Sequence, residues 1–357
     1  MEKRLAAVKI LSYDIARGGT ELVAFTLYCE LIDSNEDVEL LIYSSKKNKL
    51  NIKAKYLKNI TFYNKNFLKY FFKVLIIGNS KKNNSIIIFS EFLAIFVGLI
   101  KYFKIISSGI FIRSSTIQSR YLEKKGKLRF NLSKIAYKNA TKIITQSNFM
   151  QNDIKAFFEI DDDKLIKIFN PNIRNPFTNY EEKKLTNLTS YILVIGNFRK
   201  EKGHLRLLNH IAESNFYGNF IFAGSGELEN EIKSIIHAKN LESNITVLNN
   251  IFDTSSLIRN CSALLIPSYY EGFPNVALDA LRYDKPLIGY DDCKVLFEII
   301  KPNLNGLFIK SDGSNFESKL LEINDFDFNK EYNSNFLYKH SNINFIRSFQ
   351  HIIHNLK

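Results

Sequence analysis

The sequence contains the stretch Glu271-Gly-Phe-Pro-Asn-Val-Ala-Leu-Asp279, in which two carboxylates flank a glycine turn. Residues 262–268 before it form an apolar run of strand length, and residues 274–283 after it fit a helix with proline at its first position. A strand that enters a glycine turn and then a helix is an arrangement that binds anions, because the first N–H groups of a helix have no partner within it. Gly272 has no Cβ that would block a ligand.

The backbone N–H groups around Phe273, Asn275 and Val276 are expected to point out of this helix N-terminus. Asp279 lies one turn beyond Asn275 and is expected to face the same side. Acidic residues near helix N-termini are also common for reasons of capping and dipole alone. A cap needs only one of these features, so the glycine, proline and asparagine between two acids favour a ligand site.

Length and composition predict two globular domains. The chain has 357 residues, of which 45% are hydrophobic and 24% charged, and this length suits more than one core. Three cysteines, Cys29, Cys261 and Cys293, lack metal-binding spacing, and no signal peptide precedes the first strand-like run. We therefore expect free thiols and a cytoplasmic location. The longest apolar stretch, residues 86–100, is too short to cross a bilayer and fits a buried strand followed by a helix.

The net positive charge of the chain comes from its N-terminal half. Residues 1–175 contain 30 Lys and Arg against 15 Asp and Glu, whereas residues 176–357 contain 19 against 21. Basic and aromatic residues mix over residues 65–73, and a second basic run covers residues 124–138. This mixture suits an anionic membrane surface, and a solvated lysine-rich surface is the alternative. Nucleic acid is disfavoured, because no zinc-finger or RNA-binding sheet signature accompanies the charge.

Strands alternate with helical patterns along the chain, which indicates parallel sheets covered on both faces. After the first strand, Gly18 and Gly19 form a turn that opens a helix. The polar, proline-containing residues before position 191 break the alternation, and it restarts beyond them. The predicted organisation is an N-terminal domain over residues 1–172, a linker over 173–190, a C-terminal domain over 191–330 and a helical segment over 331–357. The predicted strands cover residues 6–12, 38–43, 60–63, 86–89, 110–113, 142–145, 164–169, 191–196, 220–223, 245–248 and 263–266.

Ligands of open α/β sheets bind at the carboxyl ends of the strands, and several candidate turns follow strands here. Residues 197–204, Asn-Phe-Arg-Lys-Glu-Lys-Gly-His, place cations where a diphosphate needs them, with Arg199 as a fork and Lys202 as a mobile point charge. A solvated surface loop is the alternative for this segment. Residues 222–227 supply a glycine turn, which alone is weak evidence. His204 is expected to be a surface residue at a helix start.

Together these motifs resemble the retaining glycosyltransferases of family four, which have the GT-B fold of two Rossmann-like doubly wound α/β domains facing across a cleft. Residues 271–279 resemble the paired-acid motif of the family and residues 196–203 its lysine loop. Residues 224–226 resemble its donor-side glycine turn and residues 18–21 its N-terminal glycine loop. The motifs follow the family order along nearly the whole chain. In this fold the C-terminal segment crosses back to the N-terminal domain.

The resemblance implies roles for particular residues. Glu271 would contact the donor sugar and Asp279 the nucleotide ribose, while Arg199 or Lys202 would hold the diphosphate. Arg113, at a strand end, falls where the family places an acceptor-side or catalytic residue. The catalytic candidates are Glu271 and Arg113, and the donor-binding candidates are Gly19, Asn197, Arg199, Lys202, Gly224, Gly226, Asn250, Gly272, Phe273, Pro274, Asn275, Val276 and Asp279.

Two positions depart from the family pattern. The second acid is usually Glu, and Asp279 is one methylene shorter. The lysine loop commonly begins Gly-Arg, whereas Asn197 occupies the arginine position here. Arg199 can replace that arginine only if the backbone stays extended, so that alternate side chains share a face.

The implied function is transfer of a sugar from a nucleotide-sugar, such as a UDP- or GDP-sugar, to a hydroxyl of a lipid-linked or polysaccharide acceptor. The family retains the anomeric configuration and requires neither a metal nor a further cofactor. The basic N-terminal domain would place the protein on the inner face of the cytoplasmic membrane. The alternatives are a GT-B nucleotide-sugar epimerase and a catalytically silent protein that binds a membrane or an anionic polymer.

Overall fold

The computed structural model describes residues 8–15, 18–44, 54–80, 84–123, 125–171, 190–251 and 253–355. These residues divide into two compact units. The first contains the described residues up to Pro171 and those from His340 onward, and the second contains residues 190–339. The predicted linker lies almost wholly outside the described residues, so the predicted domain boundaries stay a prediction.

The first unit is built on a seven-stranded sheet with the order β3-β2-β1-β4-β5-β6-β7, and the strand pairs are parallel. Its strands are β1 Val8–Ser12, β2 Val38–Ile42, β3 Ile60–Phe62, β4 Ser85–Ile88, β5 Gly109–Arg113, β6 Lys142–Thr145 and β7 Leu165–Lys167. Its helices are α1 Gly19–Asp33, α2 Ala54–Leu57, α3 Phe67–Gly78, α4 Glu91–Tyr102, α5 Gln118–Leu122, α6 Gly126–Lys138 and α7 Asn148–Phe158.

Neighbouring residues of one strand enter different cores, which is why the strands are mostly apolar on both faces. Ile10 of β1 packs in a cluster with residues of α1, and Leu11 packs in a second cluster with residues of α3 and α4. Successive side chains of a strand point to opposite faces, so a sheet with helices on both faces favours apolar residues at consecutive positions. The first sheet is therefore the middle layer of a three-layer α/β domain.

The second unit has a six-stranded sheet with the order β10-β9-β8-β11-β12-β13, also with parallel pairs. Its strands are β8 Ile192–Ile195, β9 Phe220–Ala223, β10 Ile245–Leu248, β11 Ala263–Ile266, β12 Leu287–Tyr290 and β13 Gly306–Ile309. Its helices are α8 His204–Glu213, α9 Glu229–Ala238, α10 Ser255–Asn260, α11 Asn275–Leu281, α12 Phe316–Glu322 and α13 Lys330–Lys339. In both sheets the chain reverses direction beside the first strand, so β1 and β8 adjoin the topological switch points where such folds bind ligands.

The C-terminal residues divide between the units. Helix α13 packs in the second unit, where Asn333 Nδ2 donates to the carbonyl of Leu281 over 2.7 Å. The last helix, α14 Asn342–Asn355, belongs to the first unit. It buries Phe349 in the core shared with α1, and Asn342 Nδ2 donates to Glu30 Oε1 over 2.8 Å.

The predicted fold class, two Rossmann-like doubly wound α/β domains, is confirmed. The eleven predicted strands are present; both ends agree for residues 142–145, 220–223, 245–248 and 263–266, and the others differ at one or both ends. Residues 86–100 form a strand end and a helix as predicted. Strands β12 and β13 were not predicted, because each is a four-residue run that includes a glycine. The three cysteines are buried free thiols, as expected. Among the described residues, no helix is both long and apolar enough to span a membrane.

Candidate active site

In the second domain, the loops after β8 and β9 touch backbone to backbone. A Cβ on Gly224 would lie 1.9 Å from the carbonyl oxygen of Gly196, and one on Gly226 would lie 2.5 Å from that of Phe198. Only glycine fits at such distances. The Phe198 N–H donates to the carbonyl of Ser225 over 3.0 Å, which joins the two loops. Gly224 and Gly226 are thus required for the close approach of two strand ends.

The lysine loop continues from β8 into a short 3-10 helix, Lys200–Lys202, that ends at Gly203. Gly203 has a φ of 70°, and its Cβ position lies 1.9 Å from the carbonyl oxygen of Pro267, just after β11. The Tyr269 N–H donates to the carbonyl of Glu201 over 2.9 Å. These contacts fix the lysine loop against the segment that leads to Glu271.

Glu271 and Lys202 form an ion pair at this junction. Glu271 Oε1 accepts from Lys202 Nζ over 2.5 Å and from Ser268 Oγ over 2.7 Å. The two side chains remain 12% and 26% exposed, so the pair can be reached from solvent. The structure therefore brings together the predicted sugar-contacting acid and the predicted diphosphate-binding lysine, and adds Ser268.

The glycine turn leads into α11, which is shorter than predicted. Gly272, Phe273 and Pro274 are buried, and Pro274 precedes the helix as its N-cap instead of occupying its first position. The first helical residues are Asn275 and Val276, where N–H groups point away from the helix. Asn275 and Val276 follow directly on the turn that carries Glu271, which is the predicted position. Their role as backbone donors to a phosphate stays a prediction.

Asp279 does not join Glu271. Its Oδ1 accepts from Arg282 Nη1 over 2.6 Å, so the short carboxylate is held by a neighbour on its own helix. Burial raises the pKa of Asp279, an effect that the positive charge of Arg282 partly offsets and that Asp253 reinforces. Arg282 is thus placed to orient Asp279.

Asn197, Arg199 and Asn250 surround the glycine loops. The Arg199 N–H donates to the carbonyl of Asn197 over 2.8 Å, which closes a three-residue turn at Phe198. The backbone is therefore not extended across residues 197–199, and the condition under which Arg199 could replace an arginine at Asn197 is not met. Asn250 has a φ of 56° and donates its N–H to Ser225 Oγ over 3.1 Å, beside Gly224 and Gly226.

Gly19 and Arg113 belong to the first domain. Gly19 is the first residue of α1, after the extended N-cap Gly18. Arg113 ends β5 and is 3% exposed; its Nη2 donates to Asn170 Oδ1 and its guanidinium lies 5.2 Å from the ring centre of Phe89. Burial lowers the pKa of Arg113 to about 9, and its Nε has no partner among the described atoms.

The sequence did not single out Arg206, which clamps the segment before Glu271. Its guanidinium lies between the rings of Tyr269 and Tyr290, 4.1 and 4.0 Å from their centres. Its Nη2 donates to the carbonyl of Pro267 over 2.7 Å, and its Nη1 binds Asp292 Oδ2 over 2.6 Å. The available signal was an arginine within the apolar run of residues 205–208, where a charge needs specific partners.

His204 begins α8 but is 1% exposed, so the prediction of a surface residue is wrong. Its ring contacts Phe198 and Phe222, with ring centres 4.9 and 5.8 Å away, and neither ring nitrogen has a partner among the described atoms. Burial, with a smaller contribution from Lys202, lowers the pKa of His204 to about 4. Its ring supports the lysine loop from within the core. In the described part of the chain, no group of three or more His, Cys, Asp or Glu side chains is arranged to hold a metal.

Residues 177–331 match the family model described as Glycosyl transferases group 1. An uncharacterised glycosyltransferase of Methanocaldococcus jannaschii is 30% identical over 193 residues, which are 53% of this chain and 51% of the relative. A Campylobacter jejuni enzyme named as an N-acetylgalactosaminyltransferase acting on a diphospho-undecaprenol-linked glycan is 28% identical over 150 residues, 40% of this chain and 41% of that protein. The chain spans about half the length of the first curated relatives it matches.

Solved structures match the chain over almost its full length. The Anabaena protein HepE in complex with UDP-glucose superposes with a TM-score of 0.79 and 14% identity, covering 98% of this chain and all of the other. The lipopolysaccharide outer core galactosyltransferase WaaB, in its apo form, gives a TM-score of 0.69 and 15% identity over 97% and 98% of the two chains. The chain thus has the GT-B fold, and its residues 177–331 match the model of the group 1 glycosyl transferases.

Proposed function

We propose that this chain is a retaining glycosyltransferase of family four that moves a sugar from a nucleoside diphosphate sugar to a hydroxyl of a lipid-linked or cell-surface polysaccharide acceptor. The single observation that carries the proposal is the Lys202–Glu271–Ser268 cluster. It lies where the loops after β8 and β11 meet, directly before the N-terminus of α11. The carboxyl ends of β8 and β11 are where folds of this class bind nucleotides.

The chemistry of the transfer explains why a cation is needed there. The bond between the anomeric carbon and a diphosphate oxygen breaks while that carbon bonds to the acceptor oxygen, so negative charge develops on the leaving nucleoside diphosphate, which takes up the proton of the acceptor hydroxyl. Lys202 and the first N–H groups of α11 are fixed before the reaction and stabilise this charge. A diphosphate would compete with Glu271 for Lys202, which frees the carboxylate to contact the donor sugar.

Asp279 and its partner Arg282 are the proposed ribose-binding side of the site. In this role Arg282 holds one oxygen of Asp279, and the other is left to accept a hydroxyl. Asn250 and the loop of Gly224 and Gly226 lie on the same edge of the sheet, beside the ends of β9 and β10. We assign the nucleotide to this edge.

The acceptor class is supported by relatives and by charge. The Campylobacter jejuni relative is named for a glycan carried on undecaprenyl diphosphate, and a Salmonella typhimurium relative, 23% identical over 172 residues, is named an O-antigen chain mannosyltransferase. These similarities cover less than half of this chain. The excess of basic residues in the N-terminal half suits an acceptor anchored in an anionic membrane, reached from the cytoplasmic face.

Replacing Glu271 tests the site. Glu271→Ala is expected to abolish sugar transfer while thermal unfolding stays close to that of the parent protein, because the side chain is not part of either core. Full transfer activity in this variant would refute the assignment. Sugar modification without any acceptor would point instead to an epimerase.

A thermal-shift panel of UDP, GDP, ADP and CMP, with their common sugars, identifies the donor. A ligand at a hundred times its dissociation constant stabilises the folded protein by about 2.7 kcal/mol, which is readily measured. Stabilisation by one nucleoside diphosphate, reduced in Lys202→Ala, supports a nucleotide site. Lack of stabilisation by every nucleotide would contradict the proposal and favour a protein without catalytic activity.

A further inference from the structure

Helix α3 is apolar on the side that faces solvent. Leu68, Phe72 and Ile76 are spaced four residues apart and are 66%, 59% and 69% exposed. Residues with this spacing lie on one face of a helix. The opposite face, with Tyr70 and Val74, is buried in the first domain. A helix on the surface of a soluble domain normally presents polar residues to water, so this outer stripe needs a partner.

The exposed apolar surface continues beyond α3. Asn79 Nδ2, just after α3, donates to the carbonyl of Ile105 over 2.6 Å, which holds the segment after α4 beside the end of α3. Tyr102, Phe103 and Ile105 in that segment are 51%, 67% and 47% exposed. The stripe and this segment together are named here the α3–α4 face, defined by Leu68, Phe72, Ile76, Tyr102, Phe103 and Ile105.

The chain around the face is mainly basic. Residues 40–122 include 15 Lys and Arg and a single acidic residue, Glu91. Glu39, just before this stretch, is paired with Lys9 and with Lys73 of α3. The Glu91 carboxylate accepts from Ser133 Oγ and Tyr137 Oη, each over 2.9 Å, inside the domain. Lys65, Lys69 and Lys104 are exposed around the face. In the described part of the chain, none of these three ammonium groups is paired with a carboxylate.

We propose that the α3–α4 face docks on an anionic lipid bilayer, with its apolar side chains at the headgroup–acyl boundary and the three lysines among the headgroups. A bilayer can bind an apolar stripe flanked by lysines even though it has no fixed shape complementary to the protein. The aliphatic stems of the lysines let their ammonium groups reach the lipid phosphates. A second copy of this chain is a poorer partner, because it would bring Lys65, Lys69 and Lys104 of one copy against like charges of the other.

The α3–α4 face is thus the surface by which the protein of the proposed function would contact its membrane. This assignment rests on that function only for the identity of the membrane, since docking needs neither donor nor acceptor. Vesicle binding is therefore measured without substrates. A parent protein that transfers sugar to a water-soluble acceptor but does not bind vesicles would refute this inference alone. A parent protein that binds vesicles but transfers no sugar would refute the proposed function alone.

The first experiment is co-sedimentation of the full chain with vesicles of phosphatidylcholine, alone or mixed with phosphatidylglycerol. We expect binding to the mixed vesicles only. Substituting the stripe, in the variant Leu68→Ser, Phe72→Ser, Ile76→Ser, is expected to lower the vesicle partition coefficient by about tenfold or more. The matched control replaces three exposed apolar residues elsewhere, Tyr217→Ser, Leu321→Ser and Ile343→Ser, which are 84%, 52% and 56% exposed, and is expected to bind as the parent does.

A second variant tests the lysines. Lys65→Gln, Lys69→Gln, Lys104→Gln is expected to weaken binding to mixed vesicles on the order of a hundredfold and to remove most of its salt dependence. The control variant Lys239→Gln, Lys301→Gln, Lys310→Gln makes the same change in net charge at exposed positions of the second domain and should keep the parent affinity.

Three results would overturn the proposal: equal binding to neutral and mixed vesicles, equal loss in the stripe variant and its control, or no vesicle binding by the parent. A parent protein that is dimeric in solution, with a monomeric stripe variant, would show that the face joins two copies instead. Thermal unfolding of each variant confirms that it is folded, and these outer positions are expected to leave the unfolding midpoint nearly unchanged.

Discussion

Charged side chains at the carboxyl ends of the two sheets have different surroundings. In the second domain, Lys202 and Glu271 come from different loops, meet as an ion pair and keep part of their surface in solvent. In the first domain, Arg113 ends β5 and Glu91 follows β4, but the side chains that hydrogen-bond to them are neutral. The strand order places charges at the same edge in both domains, and the loops decide whether opposite charges meet.

The physical consequences differ accordingly. Burial raises the pKa of Glu91, although hydrogen bonds from Ser133 and Tyr137 oppose the effect. Burial lowers the pKa of Arg113 to about 9. The Arg113 guanidinium is buried without a carboxylate partner among the described residues, which costs folding free energy, so its place at a strand end points to a function. The Lys202–Glu271 pair of the second domain is only partly buried, so each charge has a counter-ion and some contact with solvent, and the lysine can exchange partners.

The largest effect is expected from a substitution that removes the ion pair of the second domain. Lys202→Ala is expected to lower kcat/KM for sugar transfer by about 100- to 1000-fold, because a fixed cation at the leaving group is lost. Lys200→Ala, in the same 3-10 helix but exposed, is the control and should keep near-parent activity. Steady-state kinetics with the donor found in the thermal-shift panel make the measurement. Equal losses in both variants would mean that general positive charge, and not this pair, matters.

The second prediction concerns His204 and the pH dependence of stability. Its pKa is lowered in the folded protein from 6.5 to about 4, so between these values the unfolded chain binds a proton that the folded one does not. The stability contributed by the neutral ring is therefore complete above pH 6.5 and is lost as pH falls toward 4, by about 3 kcal/mol in all. Denaturant unfolding from pH 7 to 4 should show a shallower decline in His204→Leu than in the parent. The exposed His237→Leu is the control; a parent-like slope in His204→Leu would contradict the prediction.

The third prediction sharpens the contrast at Arg113. Arg113→Met is expected to raise the free energy of unfolding by about 1–2 kcal/mol, because a buried charge without a carboxylate partner among the described residues is replaced by an apolar chain. If Arg113 serves catalysis, transfer activity falls in the same variant. Thermal unfolding and kinetics measured together decide the matter. Lower stability with unchanged specific activity would make Arg113 a structural residue.

The smallest effect is expected from a substitution of Arg206, which holds the segment before Glu271 in place. Arg206→Lys keeps the charge but loses the planar group that lies between two tyrosine rings and reaches both Pro267 and Asp292. We expect kcat to fall by about tenfold with little change in the KM for donor, since the nucleotide contacts remain. A change in KM alone would indicate that Arg206 contacts the donor and does not act through Glu271.

Much of the second domain's site followed from local sequence. The turn at residues 271–275, the lysine loop and the glycines at 224 and 226 each follow a strand as predicted, because apolar runs bounded by glycine mark strand ends reliably. The differences between the predicted and observed backbone at these turns have local causes. Pro274 caps its helix from outside, and the turn at Phe198 interrupts an extension that alternation alone assumes.

Other features depended on residues far apart in the chain. Arg206 and Asp292 are 86 residues apart, and the partners Ser133 and Tyr137 of Glu91 lie 42 and 46 residues away. His204 was expected at the surface, since a helix start is usually exposed, but the loop at Phe198 and strand β9 cover it. A single sequence can mark such a residue, as the apolar run around Arg206 does, but it does not show which distant residue contacts it.

By itself the sequence determined the alternation of strands and helices, and with it two parallel α/β domains whose glycine turns fall at strand ends. It also determined the basic charge of the N-terminal half. Only the tertiary structure decided that Lys202 meets Glu271 while Asp279 is held by Arg282, and that the apolar stripe of α3 is left facing solvent. The reason is physical: periodicity and turn chemistry are local, whereas pairing and burial depend on which distant segments the folded chain brings together.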